Sequence, residues 1–175
     1  IKNKPLEYKT FLNRIFSALN IVLLPIVVGM FFMSDSMILI AGGEQYIAGD
    51  AALKVLSVAT LFAIYASLFT NCVLIVNRQE KLCLKATVVS AIVNVGLNFV
   101  LMPTLGMIGA AITTVIAELV NCMMQMRFSK SFFDWRTLEW KPIVSCICGS
   151  VFIGIICLLC NGFFHSSLMK MACAV

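Results

Sequence analysis

Residues 94–119 read NVGLNFVLMPTLGMIGAAITTVIAEL. Pro103 and Gly106 stand between two apolar runs. Neither continues a helix well, because proline lacks a backbone donor and glycine leaves the backbone unrestrained. The flanking runs, 86–102 and 107–126, each reach the roughly 17 to 25 helical residues that cross the hydrocarbon core of a bilayer. Gly106, Gly109, Ala110 and Ala111 are small enough for two helices to pack closely at the turn. The stretch therefore reads as a transmembrane helical hairpin turning at 103–106.

The same length criterion, applied outward, gives three more spans at about 15–34, 52–76 and 143–164, five in all. Pro25 and Gly29 inside the first imply a kink that neighbouring helices tolerate. The run Met37 to Ala41 is too short to span and ends in Gly42 and Gly43, which marks a re-entrant or interfacial turn. Basic residues alternate with the spans. Lys2, Lys4, Lys9 and Arg14 precede the first, Arg78, Lys81 and Lys85 separate the second and third, and Arg127, Lys130, Arg136 and Lys141 separate the fourth and fifth. These regions hold eleven of the 13 basic residues and therefore face the cytoplasm, leaving Lys54 and Lys170 on the other side. Phe132, Phe133, Trp135 and Trp140 cluster with the last basic group, so 131–142 reads as a cytoplasmic interfacial loop. The first span is too long for a secretory signal and lacks a cleavage site.

Composition agrees. Hydrophobic residues make up 61% of the 175 and charged residues 12%, against roughly 45–50% and about 25% in soluble domains. This excludes a water-soluble fold and sets the class as all-α integral membrane. The net charge of +5 comes from topology; no basic cluster is interleaved with aromatics, so no nucleic-acid partner is expected. Most of the eight cysteines fall in apolar blocks, which argues against a disulfide framework. Cys157 and Cys160 read as small apolar filler within a span, so neither a metal nor a cofactor is expected.

In hydrocarbon the polar residues carry the information, because an unsatisfied polar group there costs several kcal/mol. They fall in stripes at helical spacing: Asn13, Ser17 and Asn20; Lys54, Ser57, Thr60, Ser67 and Asn71; Thr87, Asn94 and Asn98; and Thr114, Glu118, Asn121 and Gln125. Four helices are thus expected to share a polar-lined seam, with the small-residue fifth span outside it. Glu118 is set apart by charge. Counted from Met107 at about 1.5 Å per residue it lies roughly 16 Å deep, near the midplane, where an acid costs about 2.5–3.5 kcal/mol. Pairing with a basic group, proton or sodium coupling, orientation of a polar substrate and a structural hydrogen bond are all open to it. The candidate pathway residues are Glu118, Asn94, Asn98, Asn71, Lys54 and Asn121.

Residues 42–57 (GGEQYIAGDAALKVLS) and 80–120, with the paired asparagines of one helix, the Pro and Gly turn and the GAAITTVIAEL that follows, resemble the C-terminal half of polysaccharide and O-antigen flippases. These belong to the multidrug, oligosaccharidyl-lipid and polysaccharide exporter superfamily. The resemblance extends over about residues 9–130. It implies that the first four spans correspond to helices nine to twelve of a 12–14-helix exporter, and the fifth to helix thirteen. It also implies alternating access around a cavity between two lobes, translocation of undecaprenyl-linked oligosaccharide across the inner membrane, and an N-terminal lobe of the same protein as partner. The chain opens on Ile1 and closes within an apolar stretch, so 143–175 is expected to hold an accessory helix and the start of a further segment.

A cation-coupled multidrug exporter of the same superfamily is the alternative; it would show an acidic cavity with aromatic walls, and this half has one acid there. A membrane enzyme would need a base or metal ligands at the surface. The sole histidine, His165, has no acidic neighbour, and Asp35, Glu44 and Asp50 lack ligand-like spacing. A structural subunit would not require the aligned stripes.

Overall fold

A computed structural model describes residues 5–131 and, beyond them, 149, 150, 152 and 154–156. The protein is an all-α, multi-pass membrane protein. Most of the cytoplasmic loop expected at 131–142 and of the segment at 143–175 lies outside the described residues.

Helix α1 spans Pro5–Phe32 and so begins well before the apolar run, with proline at a first-turn position where its missing N–H is no loss. It continues through Pro25 without a break. After Met33 a short helix, α2, covers Ser34–Gly42; at about 1.5 Å per residue its nine residues fall far short of a bilayer. Gly43 ends it at φ 82°, a left-handed conformation that glycine adopts without strain, and a 3₁₀ turn at Glu44–Gly49 leads into α3, Asp50–Leu68. The outer segment expected to be a re-entrant or interfacial turn is thus this pair of short helical pieces. α3 passes directly into a π-helical turn, Phe69–Leu74.

Helix α4, Glu80–Ser129, has 50 residues, which if straight would measure about 75 Å, more than twice the bilayer core. It does not run straight. Gly106 takes φ 57° and ψ −131°, and the chain folds back there into an N-terminal arm, 80–105, and a C-terminal arm, 107–129. Thr113 Oγ1 donates to Asn98 Oδ1 at 2.9 Å, although a straight helix would part residues 15 positions apart by about 22 Å. The packing is close enough that a Cβ on Gly109 would meet the Leu101 carbonyl oxygen at 2.4 Å. This is the hairpin the sequence implies, with its turn at Gly106.

α3 is the central element, packed against α1 and against α4. Its buried positions include Ala52, Ser57, Ala59 and Ala66, whose small side chains let helix backbones approach. Towards the ends that carry the basic residues the contacts are larger. Leu12 of α1 meets Leu68, Phe69 and Val73 at the end of α3, with Met126 of the C-terminal arm against them. A Cβ on Gly154 would lie 3.1 Å from Phe32 and 3.2 Å from Val28, so the described part of the last segment packs on α1.

Candidate functional site

An open recess of about 450 Å³ lies at the outer end of α3 and the C-terminal arm. Ala52, Leu53 and Leu56 wall one side and Met107, Ala110 and Thr114 the other, so the two helices start together and run inward side by side. Its walls are mainly apolar. Helical steps of three, four or seven from Leu56 lead inward to Thr60, Ser67 and Asn71, and steps from Thr114 lead to Glu118, Asn121 and Gln125. The two polar stripes read from the sequence thus continue from the recess along the two helices.

Glu118 is half-buried, one turn below Thr114, and forms no salt bridge among the described residues; Cys122, one turn further, is buried beside it. Asn121 is half-buried and accepts from Gln125 Nε2 at 3.5 Å. Asn71, in the π-helical turn, is exposed, and its amide donates back to the Ser67 carbonyl at 2.9 Å. Gln125 and Ser129, further along the same arm, are fully buried, and α4 packs on the π-helical turn.

The other sequence candidates have partners elsewhere. Lys54 Nζ donates to Asp50 Oδ2 at 2.6 Å, and Asp50 also accepts from the buried Ser34 hydroxyl, so this trio ties the start of α2 to the start of α3. Asn98 donates to Asn94 Oδ1 at 2.6 Å while accepting from Thr113, which clasps the two arms of α4. Thr87 and Ala91, on the same face nearer the inner end, are exposed. Of the residues expected to share one polar seam, Asn94 and Asn98 form with Thr113 a clasp within the hairpin, apart from the recess between α3 and the C-terminal arm.

Two contacts go beyond the sequence reading. Tyr65 Oη donates to Asn20 Oδ1, joining α1 to α3 near mid-span, and Asn20 donates to the Phe16 carbonyl at 2.7 Å. Tyr8 Oη donates to the Cys72 carbonyl at 2.6 Å, satisfying a backbone acceptor in the π-helical turn. Burial pushes the Tyr8 phenol above its ordinary pKa, against a hydrogen bond with Asn77 that works the other way, and Cys72 adds to the rise. On the exposed side of α1, Thr10, Asn13, Arg14 and Ser17 line a second recess of about 470 Å³. No metal-ligand cluster occurs among the described residues.

No family profile matches the chain, and no solved structure does. It is 23% identical over 157 residues to a probable low-salt glycan biosynthesis flippase, Agl15, of Haloferax volcanii, covering 87% of this chain and 33% of that protein. It is 26% identical over 129 residues to an uncharacterized membrane protein of Methanocaldococcus jannaschii, covering 74% of this chain and 25% of that protein. The chain thus spans about a third or less of the length of the curated relatives it matches. It is a multi-pass α-helical membrane protein with a distant relative named as a glycan flippase.

Proposed function

We propose that this chain forms part of a membrane transporter, not an enzyme, that flips lipid-linked oligosaccharide across the inner, or plasma, membrane, with undecaprenyl-linked repeat units as the cargo. The observation that carries the reading is Glu118, half-buried one turn along from the Thr114 wall of the recess and without a salt bridge among the described residues, at a position whose count from Met107 puts it near the midplane. An acid held at such depth is costly unless it faces a cavity or a substrate. In this reading the recess and the polar stripes beyond it form one trough that suits an amphiphile: its outer recess is apolar, and its deeper part offers Asn71, Glu118 and Asn121 to hydrogen-bond sugar hydroxyls. The name of the distant relative supports the same substrate class. Alternating access then exposes the trough to each side in turn, against the other lobe of the complete protein.

Lys54 and the pair Asn94 and Asn98 act in this reading as clasps that keep the helices in place, since each is engaged by a neighbour. The test is complementation by the complete protein in a strain without its own flippase, read as surface polysaccharide. Restoration is expected. Glu118→Gln is expected to abolish it at unchanged membrane abundance; full activity in that variant would remove Glu118 from the pathway. Failure of the wild-type protein at normal abundance, together with drug efflux from vesicles, would replace the glycan reading with that of a multidrug exporter.

A further inference from the structure

The inner end of this trough is polar where a seal would ordinarily be dry. Gln125 is 1% exposed and Ser129 0% exposed, and neither Gln125 Oε1 nor Ser129 Oγ has a hydrogen-bond partner among the described residues. Buried polar atoms without partners are rare in native proteins, and each calls for a cause. The usual escape for a helical hydroxyl is a carbonyl three or four residues back. Ser57, Thr60, Thr87 and Thr114 all take it, bonding the carbonyls of Lys54, Leu56, Cys83 and Ala110. Ser129 does not.

Residues 125 and 129 are four apart on one helix, so their side chains stand on the same face about 5–6 Å apart at Cβ. A buried water ordinarily makes about three hydrogen bonds to otherwise unsatisfied polar groups. Gln125 Oε1 can only accept, whereas a serine hydroxyl donates and accepts, so a water placed between them satisfies both orphaned atoms.

We infer that the inner end of the trough is a hydration site, with ordered water bound between Gln125 and Ser129. Gln125 Nε2 already reaches Asn121 Oδ1, and Asn121 lies one turn from Glu118. The water therefore completes a polar ladder, Glu118, Asn121, Gln125 and Ser129, from the middle of the membrane to the inner surface. A seal of this kind opens without exposing a dry apolar core, because its groups are wet already. The inference stands whether or not the cargo is a glycan.

The test is thermal unfolding of the complete protein in nanodiscs, comparing wild type, Ser129→Ala, Gln125→Leu and the double variant. With water bound, each single change strips a partner from it and lowers the Tm, and the double variant lies no lower than the worse single one, since both lose the same water. If either substitution raises the Tm, the site is dry and the change has merely removed a buried, unpaired polar atom. Drops that add in the double variant likewise overturn a shared water. Should Gln125→Leu fail to fold, Gln125→Met, unbranched and adaptable, takes its place in the same comparison.

Discussion

The two arms of α4 are both apolar and differ in what they hide. The N-terminal arm turns its large side chains outward: Leu84 is 66% exposed, Ile92 67% and Phe99 78%. The C-terminal arm hides Gly109, Ala111, Thr113 and Ala117, and its buried set continues through Cys122 to Gln125 and Ser129. In water such an arrangement would be inside out. In a bilayer the lipid tails are as apolar as leucine, so nothing drives large aliphatic groups inward, and helix association rests on close packing and interhelical hydrogen bonds. Burial here follows size and polarity, and the arm that buries small and polar residues is the arm that meets α3 at the recess.

The sharpest way to break this contrast is one substitution made in each arm. Gly109→Ala places a methyl 2.4 Å from the Leu101 carbonyl oxygen, in rigid backbone that has no side chain to move aside. The expected cost is about 3 kcal/mol, the upper end for overpacking, seen as lost monodisperse protein or a steep fall in Tm. Gly96→Ala meets nothing within 4 Å, and removing a glycine from a helix interior is expected to stabilise by about 0.5–1 kcal/mol. Equal effects in the two arms would mean that the hairpin is not packed through Gly109.

Faces within the N-terminal arm can be set against each other in the same way. Ile92→Lys puts a charge among lipid-facing side chains and should cost about 2.5–3.5 kcal/mol in membrane-inserted yield. Ala91→Lys places it on the stripe of Thr87 and Asn94, where a polar cavity in the complete protein would hold it at much less cost. Identical losses would show that this stripe faces hydrocarbon.

The polar clasp between the arms sets a smaller scale. Thr113→Val removes the hydroxyl that reaches Asn98 and is expected to cost about 0.6–1.7 kcal/mol, the range of interhelical hydrogen bonds in membranes. A double-mutant cycle with Asn98→Ala should return a coupling energy in that range. A coupling of zero would leave the hairpin held by its small residues alone.

What the sequence discloses of this fold depends on how local the cause is. The turn at Gly106 is legible because glycine acts on its own backbone, although Pro103, expected to share in it, stays inside the N-terminal arm. The outer break at Gly42 and Gly43 is equally local. Lys54 was open to a local reading that its polar stripe obscured: Asp50 stands four residues before it, the spacing at which helical side chains pair. By contrast, the contact of Tyr65 with Asn20 joins residues 45 apart and depends on how α1 and α3 are rotated about their axes. The π-helical turn at Phe69–Leu74 has no residue type that announces it. In the candidate site, periodicity gave the stripes containing Glu118, Asn121 and Asn71. Only packing separates these from Asn94 and Asn98, because spacing along one helix does not say which neighbour the face will meet.

Phe99 offers the finest test of the contrast between the arms. In a soluble core, Phe→Ala costs about 3–5 kcal/mol, most of it lost transfer from water and the cavity left behind. At 78% exposure in a bilayer neither contribution applies, because the ring leaves one apolar medium for another and lipid fills the space. Phe99→Ala should therefore change the stability of the complete protein in nanodiscs by less than about 0.5 kcal/mol, as at an ordinary exposed position. A loss above about 1 kcal/mol would mean that another part of the complete protein packs on the ring. The outer face of the N-terminal arm would then be an interface between segments, and only its polar stripe would still need a cavity to explain it.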